Sequence, residues 1–105
     1  MKLVALMILG LTSTTSYAIC SQTDNQLSGL VGLDSSTGFV FASLKSEGNG
    51  CGCSHVRFKP QNTEVDMALS ILMAAKVSSD KVRVDFKDSS EGVANCDSGY
   101  RVYLQ

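Results

Sequence analysis

Four cysteines, at positions 20, 51, 53 and 96, limit what this chain can fold into more than any other feature. An even set of cysteines in a short exported chain reads as two disulfides. Each contributes about 2–4 kcal/mol, chiefly by restricting the unfolded chain. A bond within the Cys51-Gly52-Cys53 doublet would close a strained ring and restrict little chain. Two pairings remain, each joining Cys20 to one member of the doublet and Cys96 to the other, and the sequence leaves both open.

The start of the chain supplies the exporting signal. Met1 and Lys2 form a short positive region, residues 3–11 are continuously apolar, and Ser16-Tyr17-Ala18 puts small residues at the two positions a signal peptidase reads. The apolar run is shorter than the roughly 20 residues that span a bilayer. Ile19, directly before Cys20, is not the small residue that lipid attachment requires. The expectation is therefore a signal peptide over 1–18, a single domain over 19–105, a periplasmic or extracellular location, and no membrane anchor. A domain this small buries about 60% of its unfolded surface, so staples matter to it. Its basic residues (Lys45, Arg57, Lys59, Lys76, Lys81, Arg83, Lys87 and Arg101) are scattered singly, and the net charge of the chain is −1. No basic stripe of the kind a phosphate backbone needs is present, which argues against nucleic acid as a partner.

Glycine and serine cluster at 35–38, 47–50 and 89–92 and divide the chain into periodic segments. Strands are predicted over 27–33, 39–44, 51–59, 81–87 and 100–104, the first two joined as a hairpin. The fourth is the clearest: Val82, Val84 and Phe86 alternate with Lys81, Arg83, Asp85 and Lys87, a period of two with one wet face. Thr63-Glu64-Val65-Asp66 resembles a capping box, and a helix is predicted from it to about Val77. The order is βββ–α–ββ, mostly β with one helix.

On the helix, Thr63, Asp66 and Ser70 form a narrow polar stripe, while apolar residues cover an arc about twice the roughly 100° that packing on one sheet uses. Ala68, Leu69, Leu72 and Ala75 are expected against the sheet. Met67 and Ile71 are left for a second surface, read as another copy in a homo-oligomer. In a five-stranded Greek-key barrel of the OB type, this order puts the third strand beside the fifth and gathers all four cysteines at one end.

The stretch Gly38-Phe39-Val40-Phe41-Ala42-Ser43-Leu44, the Cys51-Gly52-Cys53 strand ending in Phe58-Lys59-Pro60, the helix over 67–76 running into Lys81-Val82-Arg83-Val84, and Cys96 with the last strand resemble a known group. It comprises small exported bacterial proteins related to the B subunit of subtilase cytotoxin and, more broadly, the pentamer-forming B subunits of AB5 toxins. The resemblance implies an OB-like barrel with one helix, ring formation and glycan binding. It assigns no sugar-contacting residue.

No catalytic set is visible. His55 is the single histidine, and nothing resembles a nucleophile elbow. Asp85, Asp88, Glu91 and Asp97 read as solvated charges on or beside loops. Tyr100 and Tyr103 fall on opposite faces of the last strand, one inward and the other free to stack on a sugar ring. Cys51, Cys53 and His55 share a strand face with soft-metal ligand character, although an oxidising compartment favours disulfides there. The chain therefore reads as an exported binding module without a cofactor, not an enzyme, with a glycan or protein as ligand. The alternatives are a monomeric envelope inhibitor or accessory protein, and a periplasmic metal carrier.

Overall fold

The computed structural model describes residues 19–46, 51–90 and 93–105. The segment read as a signal peptide lies outside them.

The alternating and aromatic segments become strands as expected, except that the third begins at His55 and leaves Cys51 and Cys53, both buried, in the turn before it, so they do not share a strand face with the exposed His55. These strands are β3 (Phe39–Ser43), β5 (His55–Phe58), β6 (Val82–Phe86) and β9 (Gly99–Leu104). The predicted first strand is displaced and broken: β1 runs over Cys20–Gln26 and β2 over Val31–Asp34. Two-residue strands complete the set: β4 (Lys45–Ser46), β7 (Ser89–Ser90) and β8 (Val93–Ala94). The single described helix, α1, spans Val65–Ser78. The fold is thus mostly β with one helix. Its main sheet has seven strands in the order β2-β3-β5-β9-β6-β1-β4, and β7 and β8 pair separately. The sheet holds seven segments instead of the predicted five because an unpredicted strand forms at Cys20–Gln26, ahead of an expected first strand of which only the second half pairs (as β2), and because Leu44 separates β3 from the short β4.

All neighbours in the main sheet are antiparallel except β5 and β9, which meet in parallel at Phe58 and Gly99. The third and fifth expected strands are therefore adjacent. Gly99 is required there, because a Cβ on it would collide with the Val56 side chain. The hairpin from β2 to β3 turns through 35–38. The Asp34 carbonyl accepts from the Thr37 and Gly38 N–H groups, and Gly38 adopts the positive φ (77°) that glycine tolerates.

The core is the inward face of this sheet closed by α1. Val40, Ala42, Val56, Phe58, Val82, Val84 and Phe86 are buried from the strands, and Ala68, Leu72 and Ala75 from the helix. The helix start differs from the expected capping box. Glu64, not Thr63, is the N-cap residue, and no side chain caps it. Asp66, shorter than the usual Glu or Gln, stays solvent-exposed in the first turn. At the other end Ser79 takes a left-handed conformation (φ 61°), as helix C-termini commonly do.

Both disulfides form, Cys20–Cys51 and Cys53–Cys96, which settles the pairing the sequence left open. They tie the start of β1 and the loop before β9 to the segment that leads into β5. Two staples of this kind fit an oxidising compartment. Among the described residues, no helix is long and apolar enough to cross a membrane.

Candidate functional site

Side chains that alternate away from the core on β3 and β5 form one outer face. Val40, Ala42, Val56 and Phe58 point inward, so Phe39, Phe41, His55 and Arg57 point out. Phe41 lies opposite Arg57 in the ladder, and Ser43 opposite His55. On the other side of β3, Phe41 lies opposite Gly32, whose missing side chain leaves room for the ring. Leu33, Asp34, Phe39, Phe41 and Arg57 line an open concavity of about 440 Å³. Two aromatic rings thus stand half-buried at the surface beside a guanidinium, and Lys59 adds a second cation 5.6 Å from the centre of the Phe39 ring.

The loop before β9 supplies the carboxylate of this face. His55 Nε2 donates to Asp97 Oδ1 at 3.2 Å, and Arg57 Nη1 lies 3.9 Å from Asp97 Oδ2. Asp97 is held in place by its own neighbourhood: its N–H donates to Asn95 Oδ1 at 3.0 Å, and the Cys53–Cys96 disulfide anchors the adjoining residue to the segment before β5. The His55 and Asp97 side chains remain substantially exposed, so their polar atoms are accessible to a ligand. At the hairpin edge of the face, the Ser36 hydroxyl and N–H both donate to Asp34. These bonds, the hydroxyl first, hold the Asp34 carboxyl below its ordinary range.

A second cluster lies on the outer face of β6 and β9. Asp85, expected on the wet side of its strand, is instead fully buried. Arg83 Nε lies 3.0 Å from Asp85 Oδ1, and Arg101 Nε lies 3.4 Å from Asp85 Oδ2. These two long side chains exclude water from the carboxylate and compensate its charge, so burial is tolerated. The Asp85 hydrogen bond and charge raise the Arg83 pKa; for Arg101 the Tyr100 hydroxyl is the first cause of a rise and Asp85 a lesser one. Neither tyrosine enters the core. The ladder between β6 and β9 shifts register at Asp85/Phe86, which breaks the strict alternation that would have sent one ring inward. The Arg101 guanidinium carbon lies 4.5 Å from the Tyr100 ring centre, and that of Arg83 lies 5.0 Å from the Tyr103 ring centre.

The remaining sequence-predicted residues fall as follows. Cys20, Cys51, Cys53 and Cys96 are all in disulfides, so no thiolate from Cys51 or Cys53 is available beside His55. Among the described residues, no group of three or more histidine, cysteine or acidic side chains is placed to hold a metal. Met67 is 61% exposed, while Ile71 is half-buried, and both border a groove between α1 and β9. Met73 and Val77, two turns beyond Asp66 and Ser70 and on the same stripe, are also exposed. Glu91 lies outside the described residues, and Asp88 is half-buried beside β7. Sequence reasoning named Phe39 and Phe41 only as strand residues. Their outward parity follows from the buried Val40 and Ala42 between and beside them, a signal that was already present in the alternation.

No family model matches this chain, and no curated protein or solved structure is significantly similar to it.

Proposed function

We propose that this protein is an exported, non-enzymatic binding module that recognises a ligand, most simply a sugar, on the outer face of β3 and β5. The observation that carries this reading is the pair of surface rings, Phe39 and Phe41, set in one concavity with Arg57 and bordered by His55 and Asp97. Ligand sites of this kind combine apolar rings with a few placed polar groups. Here the rings offer flat apolar surface to a sugar's C–H face, and Arg57, His55 and Asp97 offer donors and acceptors to its hydroxyls. The disulfide beside Asp97 reduces the ordering cost of binding.

The finer fold reading accompanies this proposal. Counting β1 with β2, and β3 with β4, as single bent strands turns the sheet order into a five-stranded ring of the OB type. Support comes from the pairing of β4 with β1 and of β3 with β2, with only Leu44 between β3 and β4. In OB barrels the middle strands and the loops beside them bind oligosaccharides and oligonucleotides, and β3, β5 and the loop carrying Asp97 occupy that position in this reading.

The test is a glycan-array screen of the oxidised protein, followed by titration of any hit against Arg57→Ala and Phe39→Ala. Each substitution should weaken binding about tenfold, the equivalent of 1.4 kcal/mol, without loss of fold. Phe41 is a poorer probe because its ring also covers Gly32. Hits that bind both variants as tightly as the wild type would overturn the assignment to this face. Self-association through α1 is a second reading, favoured by exposed Met67, Met73 and Val77. Light scattering of the wild type and of Met67→Asp tests it, and a wild type that stays monomeric at high concentration would remove it.

A further inference from the structure

The cluster on β6 and β9 has no role in the sugar-binding reading, and its chemistry points elsewhere. Two guanidiniums converge on one buried carboxylate, so within this trio one positive charge is left unmatched. Both guanidiniums are already oriented. Arg83 donates through Nε and Nη2 to Asp85 and through Nη2 to the Ser21 hydroxyl. Arg101 is fixed by Asp85 through Nε and donates through Nη2 to the Tyr100 hydroxyl. The Nη1 group of each has no protein partner among the described residues, and both side chains are about half exposed. Planar guanidinium donors fixed in direction suit a carboxylate, which takes two parallel N–H bonds.

Space for the rest of a ligand adjoins Arg101, and Arg83 stacks on Tyr103 at its edge. A groove of about 180 Å³ runs between α1 and β9; Tyr100, Arg101, Val102 and Tyr103 form one wall, and the exposed Glu64 at the start of α1 stands on the other, where it disfavours an anionic group away from the arginines. Its volume suits one small ring, and the phenol groups give it both an apolar surface and hydroxyls.

We infer that Arg83 and Arg101, held in position by Asp85, receive the carboxylate of a ring-bearing acid such as a sugar acid, whose ring lies in the groove beside Tyr100 and Tyr103. Asp85 is a positioning residue: it is buried and reaches the ligand only through the two arginines. This site is separate from the β3–β5 face, so failure of one leaves the other standing.

Isothermal titration and NMR of the arginine Nε–H signals test it with three probes: methyl β-glucuronide, its neutral counterpart methyl β-glucoside, and acetate. The glucuronide should bind about tenfold or more tightly than either other probe, since charge-assisted hydrogen bonds are roughly twice as strong as neutral ones. It should also shift the Arg83 and Arg101 signals. Arg101→Gln should abolish the preference over the glucoside, and Arg101→Lys should keep part of it by retaining charge without the fork. A purely structural arginine pair would lower the melting temperature in these variants and leave probe selectivity unchanged. Equal binding of glucuronide and glucoside by the wild type, or acetate binding as tightly as the glucuronide, overturns the proposal without reliance on any variant.

Discussion

Strands β1 and β6 lie side by side, paired from Cys20↔Phe86 to Asn25↔Val82, and they fill the interior with different chemistry. From β6 come Val82, Val84 and Phe86, all fully buried. From β1 the buried members are Gln22 and Asn25. The two amides are satisfied in detail. Gln22 Nε2 donates to Asn25 Oδ1 at 2.6 Å and to the Cys53 carbonyl at 2.8 Å, while the Cys53 N–H donates to Gln22 Oε1 at 3.0 Å. Asn25 Nδ2 donates to the carbonyls of Gln22 and Val82 at 2.7 and 2.9 Å. β6 therefore stabilises by removing apolar area from water, whereas β1 contributes specificity. Its amides fix the position of the cysteine doublet relative to the sheet, and with it the segment that carries both disulfides. Asp24, in a left-handed conformation (φ 58°), makes the bulge that lets Gln22 and Asn25 both reach inward across three residues.

The largest effect should come from the apolar member of this comparison. Phe86→Ala removes a fully buried ring between β1 and β9 and should cost about 3–5 kcal/mol in urea unfolding with the disulfides intact. A loss below about 1 kcal/mol would mean that the neighbouring side chains refill the space and that β6 is not the dominant source of core stability.

An intermediate effect is expected in β1. Gln22→Leu keeps the size of the side chain and adds apolar burial, but it leaves the buried Cys53 N–H and carbonyl without their partner. Unmet buried polar groups cost about 1–3 kcal/mol each, and the added apolar contact offsets part of that, so a net loss of about 2 kcal/mol is expected. Reduced protection of the Cys53 amide in hydrogen exchange should accompany it. A variant more stable than the wild type would show that the amide network serves position alone.

The same contrast explains what the sequence made legible. Strands β3, β5 and β6 and the helix announce themselves because apolar buried residues recur in them with period two or about 3.6, whereas β9 shows the alternation of Tyr100, Val102 and Leu104 in sequence but buries only Gly99 fully. Strand β1 has the same geometry, but its buried positions are Gln22 and Asn25. No apolar alternation marks Cys-Ser-Gln-Thr-Asp-Asn-Gln, and the first strand is instead predicted at the leucines and valine that follow. Asp85 escaped for the complementary reason. A carboxylate in an alternating strand reads as wet, and its burial depends on Arg101, which lies opposite it on a strand sixteen positions away in sequence. Disulfide pairing was confined to two choices by the strain of a Cys51–Cys53 ring, and the choice between them depended on which cysteine of the 51–53 segment turns toward β1. In the candidate site, the outward parity of Phe39 and Phe41 was legible, while Asp97 joined it only through the folding of the loop before β9.

The smallest effect concerns the same kind of bond in water. Asp34, like Gln22, uses a side-chain oxygen to accept a backbone N–H, here that of Ser36 at 3.0 Å, but it is exposed at the tip of the β2–β3 hairpin. The Ser36 hydroxyl and N–H lower its pKa from 3.8 in the folded chain. A depressed carboxyl contributes stability that is fully present above its unfolded value and is lost as pH falls through the folded value. Asp34→Asn retains an acceptor for Ser36 but does not titrate. The melting temperature of the wild type minus that of the variant should therefore be largest above about pH 5 and shrink steadily toward about pH 2. The shrinkage should be slight, because water competes for an exposed bond and screens its charge. If it matched the loss from Gln22→Leu, burial would not be what separates the two bonds, and the contrast drawn between β1 and the surface would fail.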